Sequence, residues 1–242
     1  EKVTGQYYYD AIQERVLNPM ELKHSYAADK RSYPNGSNTY SKVDIFQMHG
    51  PVFIDGVARF NPQMENAGGG FVNTASDLAR WVKLYSQGAP FSDSMKTIIQ
   101  SINPDGSNVY DGENYGAGIF ILETKYGQAY GHTGLMVGTR SIMLYFPDYN
   151  VSSALQLNTD DPDGDLSLLG SIELLLDAAL KNQQLPKKVT RVLKPGGHFI
   201  FDVHNDKRIN GKDSPKSWEA SEKGFWSRKP YLLLSESFLF EE

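Results

Sequence analysis

The fold is decided between residues 115 and 157, where the sequence reads YGAGIFILETKYGQAYGHTGLMVGTRSIMLYFPDYNVSSALQL. Four strand-length apolar runs, partly β-branched or aromatic, alternate there with short turns: Ile119–Leu122, Tyr130–Val137, Ser141–Phe146 and Val151–Leu157. Short turns join antiparallel neighbours, because parallel strands need a long crossover connection. The stretch therefore predicts a four-stranded antiparallel meander.

Helical patterns flank this meander on both sides. Before it, Thr74 to Asp77 resembles a capping box with Asp in place of the usual Glu, and Gly88 stands where a helix commonly ends. Apolar residues recur between them at helical spacing: Leu78, Trp81, Val82 and Tyr85. After the meander, a broad apolar face predicts a helix over Leu166–Leu180 that covers the sheet.

The start of the chain carries a weaker signal. A partly one-sided apolar pattern predicts a helix over Tyr7–Leu17, which Asn18-Pro19 ends because the residue before proline disfavours helical geometry. Residues 23–66 are rich in Tyr, Asn, Gly and Pro and show no period, so we expect irregular loop structure there.

Length and composition restrict the class of protein. The 242 residues suit one large domain or two small ones, and a hydrophobic content of 40% excludes wholesale disorder. A net charge of −5 lacks the basic footprint of a nucleic-acid binder, and no apolar run is long enough to span a bilayer. The absence of cysteine excludes disulfides, thiol nucleophiles and Cys-ligated metals without fixing the compartment.

The net charge changes sign near Gln184. Residues 185–242 carry 11 Lys and Arg against 8 Asp and Glu, within a chain that is acidic as a whole. The polar, proline-containing stretch Lys181–Pro186 is typical of a linker, so we expect two domains, 1–183 and 184–242. Glu1 begins in mid-pattern and the last residues follow a strand-like run, so both ends are expected to be cuts.

Four motifs follow one another along the first part. They are Ala67–Arg80, Tyr115-Gly116-Ala117-Gly118-Ile119, Tyr130-Gly131-His132-Thr133-Gly134, and Pro147 with Leu155–Asn158. In order and spacing the set resembles the penicillin-recognising serine hydrolases, which include class C β-lactamases, D-Ala-D-Ala carboxypeptidases and related esterases. The resemblance covers residues 1–183. It implies an α/β (α+β) fold with a β-lactamase/transpeptidase-like antiparallel sheet and flanking helices, incomplete at the N-terminus.

The same resemblance implies roles for residues of the third motif. The main-chain N–H of Leu135 would donate to the oxyanion of an acyl-transfer intermediate. Gly134 would leave room for a substrate lying antiparallel along the strand, and His132 and Thr133 would contact the substrate's carboxylate or carbonyl. Judged on His-Thr-Gly alone, a glycine-bounded strand end with a solvated histidine is the favoured interpretation, and the flanking motifs shift the balance to the functional one. The implied partner is a small-molecule or peptidoglycan-peptide substrate, with no cofactor and no metal.

The nucleophile motif of that family is Ser-x-x-Lys on a helix, in which the lysine takes the proton of the serine. No lysine of this sequence has a serine three positions before it. Tyr33-Pro34-Asn35 matches the second motif, Tyr-x-Asn, but lies in a run that predicts a β-turn. We therefore expect these residues alone not to carry out the reaction. Three hypotheses remain: an enzyme-derived fragment, an active or bifunctional enzyme with further residues, and a non-catalytic binding module.

A second resemblance concerns residues 189–203, which read VTRVLKPGGHFIFDV. This segment is similar to class I S-adenosylmethionine-dependent methyltransferases, in which a helix ends, Pro-Gly-Gly turns and an apolar strand enters the sheet. It implies a Rossmann-like methyltransferase fragment over residues 187–242, with a later strand within Tyr231–Phe240. No glycine-rich cofactor loop accompanies it, so no S-adenosylmethionine site is predicted.

The last strand of the meander, Val151–Leu157, contains no charge, proline or glycine. The family resemblance implies that it pairs with a strand from an N-terminal segment that this sequence lacks. An edge without blunting residues favours association, so a homo-oligomer through this edge is expected. Three outcomes would relieve the edge: edge-to-edge dimerisation, pairing with Phe199–Val203, or aggregation.

Overall fold

The computed structural model describes residues 1–33, 37–43, 47–89, 91, 93–101, 114–161, 167–181, 199–205, 217–221 and 231–235. The helices are α1 Tyr8–Ile12, α2 Ala75–Ser86, α3 Asp93–Gln100 and α4 Leu168–Lys181. The strands are β1 Tyr26–Ala27, β2 Tyr40–Ser41, β3 Gly50–Pro51, β4 Phe53–Ile54, β5 Val57–Ala58, β6 Phe71–Val72, β7 Asn114–Tyr115, β8 Phe120–Thr124, β9 Gly127–Met136, β10 Thr139–Phe146, β11 Val151–Leu157, β12 Phe199–Asn205, β13 Ser217–Ser221 and β14 Tyr231–Ser235.

A six-stranded antiparallel sheet in the order β12-β11-β10-β9-β8-β7 forms the centre of the described structure. The four strands β8 to β11 are the predicted meander, each paired with the next along the chain. The bounds of β11 agree with the prediction because the 3-10 turn Pro147–Tyr149 and Asn150, in the left-handed conformation, fix its start. The prediction of an antiparallel sheet with flanking helices is confirmed.

Helix α4 covers one face of this sheet, as its apolar pattern predicted. Ile172, Leu175 and Leu176 are buried against Leu144, Phe146 and other residues of the sheet in one apolar cluster. At the β8–β9 turn, the Tyr126 hydroxyl donates to the Asp177 carboxylate at 2.6 Å. Burial, and then the hydrogen bond and charge of Asp177, raise the pKa of Tyr126. The turn is thereby fastened to the helix.

Helix α2 packs near the opposite side of β11, through small side chains. Ala75 and Ala79 contact Ala154 in a buried cluster, which allows the helix to approach the strand closely. The Thr74 hydroxyl accepts the main-chain N–H of Asp77 at 3.3 Å, so the predicted N-cap is confirmed. At the other end Gly88 has a φ of 85°, and its N–H and that of Ala89 close the last turn.

The first hundred residues agree in outline with the sequence. The helix predicted over Tyr7–Leu17 is present, although its second half, Gln13–Leu17, has π-helical hydrogen bonding. Residues 23–66 contain two-residue strands and short turns, as an aperiodic segment predicts. Helix α3 was not predicted, because only Ile99 of its apolar residues is deeply buried. Among the residues that the structure describes, no helix is both long and apolar enough to cross a membrane.

Strand β12 corrects two expectations at once. The edge of β11 is not unprotected, because Phe199–Asn205 pairs with it antiparallel along all of Val151–Leu157. This is one of the three outcomes that would relieve the edge. The Rossmann-like methyltransferase fragment is not supported, because such a fold needs parallel strands and β12, like the β13–β14 pair, is antiparallel. An apolar strand is stabilised wherever its main chain finds a partner, whatever fold its sequence resembles.

Several predictions fall outside the described residues. They concern the start of the last helix at Leu166, the turn at Pro195-Gly196-Gly197, the continuation of the last strand to Phe240, and residues Pro34 and Asn35 of the Tyr-x-Asn match.

Candidate functional site

Strand β9 has two halves with different neighbours. Two-residue turns join it to β8 (Thr124↔Gly127) and to β10 (Met136↔Thr139), and residues flanking such turns exchange main-chain hydrogen bonds. By alternation, the main-chain N–H and C=O groups of odd-numbered residues of β9 point towards β8, and those of even-numbered residues point towards β10. Pairing with β8 ends at Gly131. Thr133 and Leu135 therefore direct main-chain groups to a side where no described strand continues the sheet.

The four residues of the predicted site lie together on the half of β9 that, among the described strands, pairs only with β10. Thr133 is exposed and the Leu135 side chain is 61% exposed, while His132 and Gly134 are half-buried. The side chain of Leu135 is largely in solvent, whereas its main chain is held in the strand by the β9–β10 pairing. An outward N–H at this position is what the oxyanion role requires.

The two glycines of the motif are explained by close contacts within the sheet. A Cβ at Gly131 would overlap the Met143 carbonyl oxygen and come within 2.6 Å of Leu144 Cδ2. A Cβ at Gly134 would lie 2.5 Å from Ser141 Oγ on β10. Gly134 therefore makes room for a neighbouring side chain, a reason that is separate from the space it would leave for substrate.

His132 is held by three groups around its ring. Its Nε2 lies 2.9 Å from the Tyr115 hydroxyl, and its Nδ1 lies 2.5 Å from the Thr133 carbonyl oxygen. Phe120 packs beside it with 4.8 Å between ring centroids. The sequence placed Tyr115 in a motif but did not predict this contact, since β7 reaches β9 only through the tertiary pairing of β8.

A buried carboxylate anchors the turn that follows the site. Asp160 is 1% exposed and accepts four hydrogen bonds, from Ser41 Oγ at 2.7 Å and from the main-chain N–H groups of Lys42 at 2.6 Å, Val43 at 3.2 Å and Gly138 at 2.9 Å. Burial alone would raise the pKa of this carboxyl, but these hydrogen bonds outweigh it and hold the pKa below its ordinary value. Asp160 thus ties the loop at Lys42 to the β9–β10 turn.

Further contacts complete this end of the sheet. Val52 and Val137 are buried together with Met48, with Phe53 and Phe60 packed against them. Lys42 Nζ lies 2.8 Å from the Asp161 carboxylate, and Arg140 donates to the Asp161 carbonyl at 2.9 Å. The described residues between Lys42 and Phe60 therefore pack beside the last residues of β9. The sequence indicated only an irregular loop there.

The chemical groups described at the site are hydrogen-bond donors and acceptors. Within the described ranges, no group of three or more His, Cys, Asp or Glu side chains is arranged to hold a metal ion. Tyr33, the one described residue of the Tyr-x-Asn match, donates its hydroxyl to the Lys30 carbonyl three residues before it. That contact is local, as the predicted turn would make it.

Comparison with known proteins agrees with this architecture. The family model of beta-lactamase matches residues 1–176. Among solved structures, a D-stereospecific amidohydrolase from Streptomyces sp. is 23% identical with a TM-score of 0.57, over 76% of this chain and 51% of that one. The D-amino acid amidase from Ochrobactrum anthropi SV3 complexed with L-phenylalanine amide is 19% identical with a TM-score of 0.56, over 74% and 52%. The same amidase complexed with D-phenylalanine is 20% identical with a TM-score of 0.56, over 75% and 56%. No curated protein sequence matches significantly.

The chain spans about half the length of these solved structures. At such identities the likeness is one of fold. The family match, by contrast, covers well over half of the 242 residues and includes the motif strand β9 with its neighbours β8, β10 and β11. The chain therefore belongs to the beta-lactamase family.

Proposed function

We propose that the chain provides the oxyanion-binding strand of a serine hydrolase of the β-lactamase and D-Ala-D-Ala carboxypeptidase type. The reaction is acyl transfer from a β-lactam, a peptidoglycan peptide or an ester. In this role the Leu135 N–H donates to the developing oxyanion, and Thr133 and Gly134 line the path of the substrate along β9. The observation that carries the proposal is the main chain of Leu135, which faces outward beyond the end of β8, where no described strand lies beside it.

The choice of substrate is also a proposal. The solved structures with the same fold are named as a D-stereospecific amidohydrolase and a D-amino acid amidase. Amides of D-amino acids therefore join β-lactams, D-Ala-D-Ala peptides and esters as compounds to test. All of them present a carbonyl oxygen that becomes an oxyanion on attack, which is the feature an N–H donor recognises.

Turnover needs a nucleophile and a base that these 242 residues do not contain as Ser-x-x-Lys. We propose that the chain by itself binds but does not hydrolyse, and that in a longer protein supplying Ser-x-x-Lys the same strand serves catalysis. Nitrocefin, p-nitrophenyl esters and D-phenylalanine amide should therefore show no hydrolysis above buffer. Turnover that is lost in His132→Ala and survives repurification would contradict this.

Proline at position 135 gives a sharp test of the donor. Leu135 lies opposite Arg140 in a pair whose main chains do not bond each other, so Leu135→Pro removes the outward N–H without breaking the β9–β10 ladder. The matched control is Leu135→Ala, which keeps the N–H. Binding of acetylated D-Ala-D-Ala, benzylpenicillin and D-phenylalanine amide is followed by chemical-shift changes of the main-chain amides.

We expect at least one of these compounds to perturb the Thr133–Leu135 amides. Loss of a hydrogen bond to an oxygen of the ligand should weaken its affinity about tenfold in Leu135→Pro, against about twofold or less in Leu135→Ala. Equal affinities in the two variants, or saturable binding that leaves these amides unchanged, would remove the support for the proposal.

Two other functions remain to be separated by experiment. A non-catalytic peptidoglycan- or ligand-binding module is favoured by the missing Ser-x-x-Lys, and binding without turnover even in a longer chain would identify it. Methyltransferase activity has only the resemblance of residues 189–203 behind it. We propose that residues 1–183 carry the hydrolase function, and we expect calorimetry to find no saturable S-adenosylmethionine binding at micromolar ligand.

A further inference from the structure

Both ring nitrogens of His132 have partners inside the protein. Nδ1 lies 2.5 Å from the carbonyl oxygen of Thr133, the next residue along β9. Nε2 lies 2.9 Å from the Tyr115 hydroxyl, which belongs to β7 and reaches β9 across the end of β8. His132 is half-buried, as is Tyr115. A histidine with two internal partners differs from the solvated histidine that the bare motif predicts.

The carbonyl oxygen of Thr133 determines which nitrogen of the neutral His132 ring carries the proton. A carbonyl oxygen only accepts hydrogen bonds, so the contact with Thr133 requires a proton on Nδ1. In the neutral ring the other nitrogen is then an acceptor, and the Tyr115 hydroxyl must donate to Nε2. The hydroxyl can donate or accept, so the Thr133 carbonyl selects the Nδ1–H tautomer, and Tyr115 holds the ring where it meets that carbonyl.

Packing holds the two rings in position for this contact. Tyr115 and Phe120 meet edge to face with 4.9 Å between centroids, and Phe120 lies 4.8 Å from the His132 ring. Such contacts restrict ring rotation beyond what the hydrogen bonds alone would do. Phe120 is also opposite Gly131, the last residue of β9 that pairs with β8 and the one immediately before His132.

We propose that Tyr115 is a positioning residue that holds the His132 ring against the Thr133 carbonyl, so that the neutral ring is the Nδ1–H tautomer and caps this carbonyl. Thr133 and Leu135 face the same side of β9, so an uncapped Thr133 carbonyl would offer lone pairs beside the Leu135 N–H. With that carbonyl capped, the edge favours a ligand oxygen over a ligand N–H. Neutral His132 then acts through Thr133 rather than by donating to the substrate. The role in ligand selection rests on the proposed function, whereas the tautomer does not.

Nitrogen NMR of histidine-labelled protein tests the tautomer without any ligand. The chain has 5 histidines, and loss of a signal in His132→Gln assigns the one of interest. At about pH 9, where an ordinary imidazole is neutral, the protonated and unprotonated ring nitrogens give well-separated signals. We expect His132 to be mainly the Nδ1–H tautomer in the unaltered chain.

Tyr115→Phe removes the hydroxyl and keeps the ring that packs on Phe120. The released ring should meet the Thr133 carbonyl less often, so we expect the ratio of Nδ1–H to Nε2–H tautomers to fall about fivefold, the equivalent of one hydrogen bond of about 1 kcal/mol. The matched control is Tyr130→Phe, which removes the hydroxyl that donates to Gln128 Oε1 at 2.5 Å and should leave the ratio unchanged.

Three results would overturn the proposal. They are a predominant Nε2–H tautomer in the unaltered chain, an unchanged ratio in Tyr115→Phe, and an equal change in Tyr130→Phe. If Tyr115→Phe does not fold, the spectrum of the unaltered chain still decides, because the proposal requires Nδ1–H to dominate there. None of these readouts depends on hydrolysis or ligand binding, so the tautomer is tested independently of the proposed function.

Discussion

The strands on the two sides of β10 differ in how their outer edges are paired. On one side β11 is paired with β12 along its whole length, and Val151 and Leu155 of β11 are fully buried. On the other side β9 continues past Gly131 with no described strand on its β8 edge, and Leu135 is 61% exposed. Free main-chain groups at a sheet edge are a template for association unless something uses or covers them. Among the described residues, the edge of β11 is covered by a strand, whereas Thr133 and Leu135 of β9 have no strand on their outer side.

Removal of residues 182–242 should have the largest effect, because it takes β12 away from the edge of β11. A chain that ends at Lys181 leaves β11 without β12, and its uncharged edge is then free to pair with a second copy. We expect the whole chain to remain largely monomeric and the shortened chain to self-associate with concentration. Light scattering and sedimentation of freshly purified protein measure the difference.

A peptide of residues 199–205 is the control for that experiment. Added in trans, it should pair with β11 and suppress the association of the shortened chain, whereas a peptide of scrambled sequence should not. If the shortened chain is a folded monomer whose β11 amides exchange freely, the edge tolerates exposure and the expectation is wrong.

Leu155 of β11 and Leu135 of β9 allow the two strands to be compared by the stability that a single side chain contributes. Leu155 is fully buried in the cluster beneath α4, so Leu155→Ala should lower the free energy of unfolding by about 3–4 kcal/mol through lost burial and a residual cavity. Leu135→Ala at the open half of β9 should change it by about 0.5 kcal/mol or less. Urea unfolding of the two variants gives both values, and similar losses would show that Leu135 is packed.

Two glycines separate main-chain from side-chain contacts on β9. Gly131→Ala forces a methyl group against the Met143 carbonyl and should cost about 2 kcal/mol, because main chain inside a sheet cannot move aside. Gly134→Ala meets the Ser141 hydroxyl, which can rotate away, and should cost about 1 kcal/mol or less. Adding Ser141→Ala should restore stability to Gly134→Ala but not to Gly131→Ala. The reverse pattern would mean that the register of β9 and β10 differs.

Asp160→Asn should have a smaller effect than Leu155→Ala or Gly131→Ala, and a pH dependence of defined sign. Its pKa is lowered in the folded chain, so the stabilisation is present above the unfolded value of about 3.9 and is lost as the pH falls through the folded value. At pH 7 the variant should lose about 1.5 kcal/mol, because an amide replaces an oxygen that faces N–H donors.

Thermal unfolding from pH 7 down to pH 3 tests this sign, since the gap between Asp160→Asn and the unaltered chain should narrow below about pH 4. Asp55→Asn, in an exposed turn, is the control and should change stability by about 0.5 kcal/mol or less. A gap that widens at low pH would show that the carboxyl is protonated in the folded chain.

Local sequence was sufficient for elements whose pattern and boundaries are both local. The strand Val151–Leu157 was predicted because a proline-containing turn precedes an apolar alternation. The cap at Thr74 and the end at Gly88 follow from hydrogen bonds and dihedral angles within a few residues of each. The motif around His132 was likewise visible, together with the glycines that its tight packing requires.

What the sequence did not determine depends on residues that are distant along the chain. Asp160 finds its donor Ser41 at 119 positions away, and no local pattern marks a carboxylate that will be surrounded by main-chain N–H groups. Tyr115 reaches His132 only because β8 lies between β7 and β9. The strand Phe199–Asn205 resembles one fold and pairs in another, since alternation and apolar character specify a strand but leave its neighbour open. By itself the sequence determined the strands β8 to β11 and the helices α1, α2 and α4. The tertiary structure decided which edges pair, because main-chain hydrogen bonds between strands are the same for every sequence.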